Sequence, residues 1–286
     1  MERNGKKCAA VTGASGHIGR GIALSLAGRG FEIAASYAKN AEGAFETKRL
    51  VEAKGGSCKL YEARLDETDG PSRLVNAIRR DFGRIDAIVC NAGKDTRGSV
   101  LTATSAQLDY LYQNNLRNYY LCVGAAARHM VRDEIKGSIV LITSVRAKRA
   151  HPDDFLYGSI KAAMERACES MALDLSPYGI RVNCVAPGAI WHPDKFGNIP
   201  LTPFVRESIP MRRCGTSAEI GDVVAYLACD ESSYVTGTTL LVDGGLSLPG
   251  MNEEGAPTKW MSEGWAEKNR TAAMKILEDE TREFSE

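Results

Sequence analysis

The chain has 286 residues, 44% of them hydrophobic and 25% charged, enough material for one large α/β domain or two small ones. Its formal net charge is zero, and its one short basic run, Arg146–Ala147–Lys148–Arg149, reads as a solvated loop or a contact for an anionic substrate, so no nucleic-acid partner is expected. No stretch reaches the ~20 apolar residues needed to cross a bilayer, the N-terminus lacks the apolar core of a secretory signal, and the eight cysteines contain no C-x-x-C, so a cytoplasmic protein with reduced thiols, no metal site and no membrane partner is expected.

Residues 7–12 form a short apolar run that reads as a buried strand. The turn Thr12-Gly13-Ala14-Ser15-Gly16-His17-Ile18-Gly19 follows, and a helical pattern then runs to Gly28 and Gly30. A strand, a glycine turn and a helix make the context in which glycines hold a dinucleotide: the backbone can approach a pyrophosphate, which the helix N-terminus attracts. Gly13, Ser15, Gly16, His17, Ile18 and Gly19 are therefore candidate cofactor contacts.

Residues 31–37 read as the second strand, where an NAD site places an acid for the ribose 2′-hydroxyl. Here the strand ends at Tyr37, followed by Ala38, Lys39 and Asn40, so no acid repels a 2′-phosphate and Lys39 with Arg20 can attract one. NADP is thus expected in preference to NAD. Residues 40–55 read as a helix, and Lys59–Leu65 as a third strand ending at Asp66, which can accept from an adenine amino group. Asp66 and Asp69 can also cap the helix that starts near Pro71.

Asp86–Gly93 reads as a fourth strand running into a small-residue turn, with Asn91 able to tie neighbouring strands and Gly93 leaving room for a cofactor ribose beside Ala92. Residues 105–130 read as one long helix, interrupted in propensity by Asn114 and Asn115, where a local break or an exposed polar pair is expected. Gly137–Ser144 reads as a fifth buried strand with Ser144 at its carboxyl end, the end at which open α/β sheets bind ligands. A loop, 145–156, leads to a helix whose first turns carry Tyr157 and Lys161; residues four apart share a helix face. A nearby cation favours a phenolate, so this pair suits proton transfer near neutral pH. His151, Asp153 and Asp154 can contact a polyol or lie in an exposed loop.

Ile180–Ala186 reads as the sixth strand, closed by Pro187–Gly188, and residues 234–245 contain the last strand. Between them, 189–214 is a proline- and aromatic-rich candidate substrate lid, with Trp191, His192, Phe196 and Phe204 as pocket or packing residues. Residues 249–286 form an extension, helical in pattern over 266–284, whose Trp260 and Trp265 need burial on this subunit or a neighbour.

The glycine turn, Asn91-Ala92-Gly93, Asn115-Leu116, Ser144, Tyr157 with Lys161, Pro187-Gly188 and the closing strand resemble, in order and spacing, the classical short-chain dehydrogenase/reductase family over about residues 6–248. The resemblance implies a single Rossmann-type doubly wound domain with a parallel sheet of roughly seven strands and helices on both faces. It implies an NAD(P)-dependent oxidoreductase acting on a secondary alcohol or ketone (a sugar, a 3-oxoacyl thioester or another small carbonyl compound), and a homo-oligomer. It also implies roles: Tyr157 as general acid/base, Lys161 lowering the phenol pKa and holding the ribose, Ser144 bonding the reacting oxygen, and Asn115 anchoring a water. Pro187, Gly188 and Ile190 would flank the nicotinamide.

Two departures stand out. The usual spacing Thr-Gly-x-x-x-Gly-x-Gly has become Thr-Gly-x-x-Gly-x-x-Gly, as in the extended members that include nucleotide-sugar epimerases and dehydratases. His192 stands where members often place a threonine against the carboxamide. An epimerase lacks its substrate domain in so short an extension, and a non-enzymatic dinucleotide-binding regulator fits poorly with a complete catalytic set.

Overall fold

The first strand, β1 (Cys8–Val11), is buried at every position. That is the signature of a strand covered on both faces, and its small residues divide between two cores: Cys8 and Ala10 join one apolar cluster, Ala9 and Val11 the other. In the computed structural model, which describes residues 5–192, 208–248, 264, 267, 270–275 and 278, the same alternation recurs in β5 (Ser138–Ile142), where Ile139 and Leu141 face one core and Val140 and Ile142 the other.

Seven strands form one parallel sheet. β2 (Glu32–Tyr37) and β3 (Cys58–Glu62) lie on one side of β1; β4 (Ala87–Cys90), β5, β6 (Arg181–Pro187) and β7 (Thr239–Val242) follow on the other, giving the order β3-β2-β1-β4-β5-β6-β7. β1 pairs with β2 through Ala10↔Ala34 and with β4 through Ala10↔Ile88. The chain changes direction of progress across the sheet at this point, so the crevice outside the carboxyl ends of β1 and β4 is the place for a ligand.

Helices α1 (His17–Gly28), α2 (Ala41–Ala53), α3 (Gly70–Phe82), α4 (Ser105–Leu111), α5 (Asn118–Arg132), α6 (Phe155–Leu175) and α7 (Ser217–Ala228) cover the sheet. α1 and α7 pack without room for side chains between them: a Cβ on Gly21 would come 2.2 Å from the Ser217 carbonyl oxygen. The sequence reading had no α7, although its start carries a legible signal, a reciprocal capping box between Thr216 and Glu219.

Three local expectations need correction. β3 stops at Glu62, not at Leu65. Asp69 stands at the N-cap of α3, but its carboxylate bonds Arg73, not the helix backbone. The long helix over 105–130 is α4, a π-turn over Tyr112–Arg117, and α5: the chain breaks its helix at Asn114–Asn115, and Asn115 is buried, not part of an exposed polar pair. Asparagine amides serve the carbonyls loosened by this wide turn: Asn114 donates to Tyr110, Asn115 to Leu111 and Asn118 to Asn114 at 2.9, 3.1 and 2.6 Å.

Described residues of 5–192 and 214–243 belong to one compact unit, and 208–213 with those of 244–278 to a second. In the second, Met211 N–H donates to Gly244 O at 3.1 Å and Ile209 is buried. Most of the lid, including Phe196 and Phe204, lies outside the described residues, as do Trp260, Trp265 and most of the helical pattern 266–284. No helix among the described residues is long and apolar enough to cross a membrane.

Candidate active site

The carboxyl ends of β1 to β6 open into one cleft of about 920 Å³. The glycine turn lines one end. Gly13 has φ +67°, and a Cβ on Gly19 would come 2.2 Å from the Gly13 carbonyl oxygen, so this close backbone path admits no side chain there. α1 starts at His17 with no acid in its first turn, leaving its N-terminus attractive to an anion. A pyrophosphate fits this cradle. Asn91 holds the turn in place: its amide donates to Thr12 O at 2.9 Å and Gly13 O at 3.2 Å, and its backbone N–H donates to Thr12 Oγ1 at 2.9 Å.

Beyond β2, Tyr37, Ala38, Lys39 and Asn40 line the cleft with no carboxylate among them. Asp66 lines it too, held by Arg64 through two bonds of 2.9 and 2.6 Å. The reading of Arg20 as a contact for a 2′-phosphate does not survive. Its guanidinium bonds Thr47 Oγ1 and Gly43 O between α1 and α2, and it is not part of the cleft lining. Arg64, missed in the sequence, is part of that lining.

The opposite end holds the titratable groups. Ser144 caps a short 3-10 turn, Val145–Ala147, and its Oγ accepts from the Arg146 N–H at 3.2 Å. Ser144 and Tyr157 both line the cleft, and Ser144 pulls the phenol pKa down. Tyr157 sits in the first turn of α6 and faces the cleft. One helical turn later, Lys161 is 3% exposed; its Nζ donates to Ile142 O at 2.9 Å and lies 5.5 Å from the centroid of the Tyr157 ring. Asn115, fully buried, ties the loop after β4 to the π-turn: Nδ2 donates to Lys94 O at 3.0 Å and Oδ1 accepts from Lys94 N at 3.1 Å. A Cβ on Gly93 would come 2.5 Å from that Oδ1, so the small residue at 93 makes room for this amide tie.

The electrostatics differ from the sequence expectation. Burial, then the charge of Asp95, pushes the Tyr157 phenol up to about 12, against smaller downward pulls from Arg146 and Ser144. Burial pushes Lys161 down to about 8. Burial thus outweighs the cations near the phenol, Arg146 and Lys161, and the phenol holds its proton. The sequence leaves Arg146 as a solvated loop charge or a contact for an anionic substrate, and Asp154 as a polyol contact or an exposed loop residue; Asp154 is 4% exposed, and the Arg146 guanidinium lies 4.5 Å from the Tyr157 ring centroid.

Among the nicotinamide-side candidates, Gly188 and Ile190 line the cleft, whereas Pro187 ends β6 and is not in its lining. His17 is not a lone histidine: its ring stacks on that of His192 at 4.5 Å, and both line the cleft.

Residues 13–247 match the profile of the enoyl-(acyl carrier protein) reductase family of short-chain dehydrogenases. The chain is a classical short-chain dehydrogenase/reductase. It is 37% identical over 243 residues to 1-cyclohexenylcarbonyl-CoA reductase of Streptomyces collinus, spanning 83% of this chain and 86% of that one. It is 33% identical over 244 residues to a 3-oxoacyl-[acyl-carrier-protein] reductase of Staphylococcus aureus, spanning 85% and 98%. Acetoin dehydrogenase from Enterobacter cloacae superimposes with a TM-score of 0.81 at 34% identity, covering 87% of this chain and 98% of that structure. As a member of this family the chain is an NAD(P)-dependent oxidoreductase of alcohol and carbonyl groups. The shifted glycine spacing has not taken it toward the epimerases.

Proposed function

We propose that this enzyme reduces the carbonyl of a small ketone or a 3-oxoacyl thioester, with Tyr157 as the proton donor. The observation that carries the reading is that Ser144 and Tyr157 line the same end of the cleft, with Lys161 one helical turn behind and burial holding the proton on the phenol. A substrate oxygen placed against both hydroxyls receives one hydrogen bond from Ser144 and the proton from Tyr157. The Lys161 ammonium behind the ring stabilises the phenolate left by proton transfer, and Asn115 fixes the loop after β4 against the π-turn that backs it. When bound, the nicotinamide supplies or takes the hydride.

Gly13, Ser15, Gly16, His17, Ile18 and Gly19 hold the pyrophosphate, and Asn91, Ala92 and Gly93 flank the adjoining ribose. Lys39 and Arg64, both in the cleft lining beyond β2, favour the 2′-phosphate of NADP over the bare hydroxyl of NAD. Asp66 borders the adenine end, and Gly188 and Ile190 border the nicotinamide end. The relatives named above act on acetoin, on a 3-oxoacyl carrier-protein thioester and on a cyclohexenylcarbonyl-CoA thioester, which supports a small carbonyl compound or a thioester as the substrate class.

The test is a panel of diacetyl, acetoin, acetoacetyl-CoA and 1-cyclohexenylcarbonyl-CoA with each reduced cofactor, following nicotinamide absorbance. Turnover of one of these ketones with NADPH preferred supports the reading. Turnover of the enoyl thioester alone replaces carbonyl reduction by reduction of a carbon–carbon double bond.

A further inference from the structure

Arg146 lies next to the reacting groups and makes more contacts than a loop arginine needs. Its guanidinium grips Asp154 through two bonds, Nε to Oδ2 at 2.5 Å and Nη2 to Oδ1, and reaches Asp95 Oδ2 from Nη1 at 3.1 Å. Its face lies 4.5 Å from the Tyr157 ring centroid. Its backbone N–H is the donor that orients the Ser144 oxygen. Asp154 is the N-cap residue of α6, and its carbonyl oxygen accepts from Gly158 N–H at 2.9 Å, one residue beyond the tyrosine. One side chain therefore joins the turn after β5, the loop after β4 and the first turn of α6, all around one phenol.

We propose that Arg146, Asp154 and Asp95 form a clamp that positions Tyr157 and, through its excess of one negative charge, tightens the phenol's hold on its proton against the pull of Lys161. Arg146 and Asp154 are positioning residues in this scheme, since neither needs to touch substrate. The proposal rests on the reading of Tyr157 as the acid.

The physical argument is a charge count. The groups facing the phenol are Asp154 and Lys161 from α6, Arg146 and the Ser144 hydroxyl from the turn after β5, Asp95 from the loop after β4, and Tyr119 from α5. Two carboxylates and one guanidinium make the clamp itself net negative, offsetting the Lys161 ammonium, and negative charge beside a phenol disfavours phenolate. Asp95 and Asp154 both push the phenol pKa up and Arg146 pulls it down, so their removals have opposite signs.

The experiment is a pH titration of 13Cζ-tyrosine-labelled full-length enzyme from pH 7 to 11, the Tyr157 signal being assigned by its absence in Tyr157→Phe. Asp95→Asn and Asp154→Asn each move the onset of titration down by roughly one pH unit, Arg146→Met moves it up by a similar amount, and Arg146→Lys restores most of the shift. Asp95 is half exposed, so Asp95→Asn keeps its fold even where the buried variants do not. Shifts of one sign in all variants, or no shift in Asp95→Asn, would overturn the clamp. This readout needs no turnover, so it fails independently of the Tyr157→Phe activity test described below.

Discussion

The two ends of the cleft are built from different materials. The end at β1–β3 is mostly backbone: a glycine path with no space for a Cβ, a helix N-terminus, and an asparagine amide clasping Thr12 and Gly13. The end at β5–β6 is made of side chains that carry charge in poor solvent: Lys161 and Asp154 almost fully buried, Arg146 mostly so, and a phenol among them. The first end recognises by shape and tolerates no bulk. The second works by shifted protonation and tolerates no loss of charge balance. Substitutions at the two ends should therefore fail in different ways.

The largest effect is expected at the charged end. Tyr157→Phe removes the proton donor and should lower turnover by roughly a thousandfold, while cofactor affinity, measured by nicotinamide fluorescence, stays within a few-fold. A parallel loss of binding would mean that the tyrosine shapes the site instead of working in it. At the backbone end the split should reverse. Gly19→Ala sets a methyl group 2.2 Å from Gly13 O, and the turn must open. Cofactor affinity should fall roughly a hundredfold, as expected when a positioning contact moves by about 1 Å. Full retention of affinity would show that the cradle is more pliant than its geometry.

How much of each end could be read in the sequence follows the same division. Gly13, Asn91 and the strands were legible, though not every strand end, because chain geometry speaks through spacing: a glycine where only glycine fits, apolar runs of strand length. The order of the elements and the Tyr157–Lys161 face were legible for the same reason. Arg146 and Asp154 were not, because their meaning lies in meeting each other, Asp95 and a phenol, none of which local pattern can encode. Lys161 was visible as a cation near a phenol, but the net direction of the phenol's shift was not. Burial decides that, and burial is set by residues from β5 and α5 that pack around it. Arg20 misled for the opposite reason: a basic residue next to a phosphate turn invited a ligand role, while α2 supplied a nearer carbonyl and hydroxyl.

A smaller effect sharpens cofactor choice at the backbone end. Lys39→Ala should weaken NADP by roughly tenfold, the worth of one charge-assisted bond, and leave NAD unchanged in paired titrations. Equal weakening of both would place Lys39 on the shared part of the dinucleotide, and no weakening would return it to solvent.

The smallest effect concerns stability and comes from Lys161. Burial holds its pKa near 8, below the ordinary 10.5 of a lysine. Below about pH 8 the ammonium is charged in both the folded and unfolded chain, and the folded state carries the full penalty of its burial. As pH rises past that point, the folded chain releases the proton before the unfolded one does. The unfolded state then binds more protons, so stability gained from this group rises with pH. Lys161→Met keeps the length and apolar stem and removes the charge, so it should abolish turnover yet raise Tm at pH 7 by about 2–4 °C. The gain should shrink steadily toward pH 9.5, because wild type sheds its own penalty over that range. A gain that did not depend on pH would point to better packing of the thioether against Tyr119. A loss would mean that the bond to Ile142 O outweighs the cost of burying the charge, and the charged end of the cleft would then be held together by the groups that make it reactive.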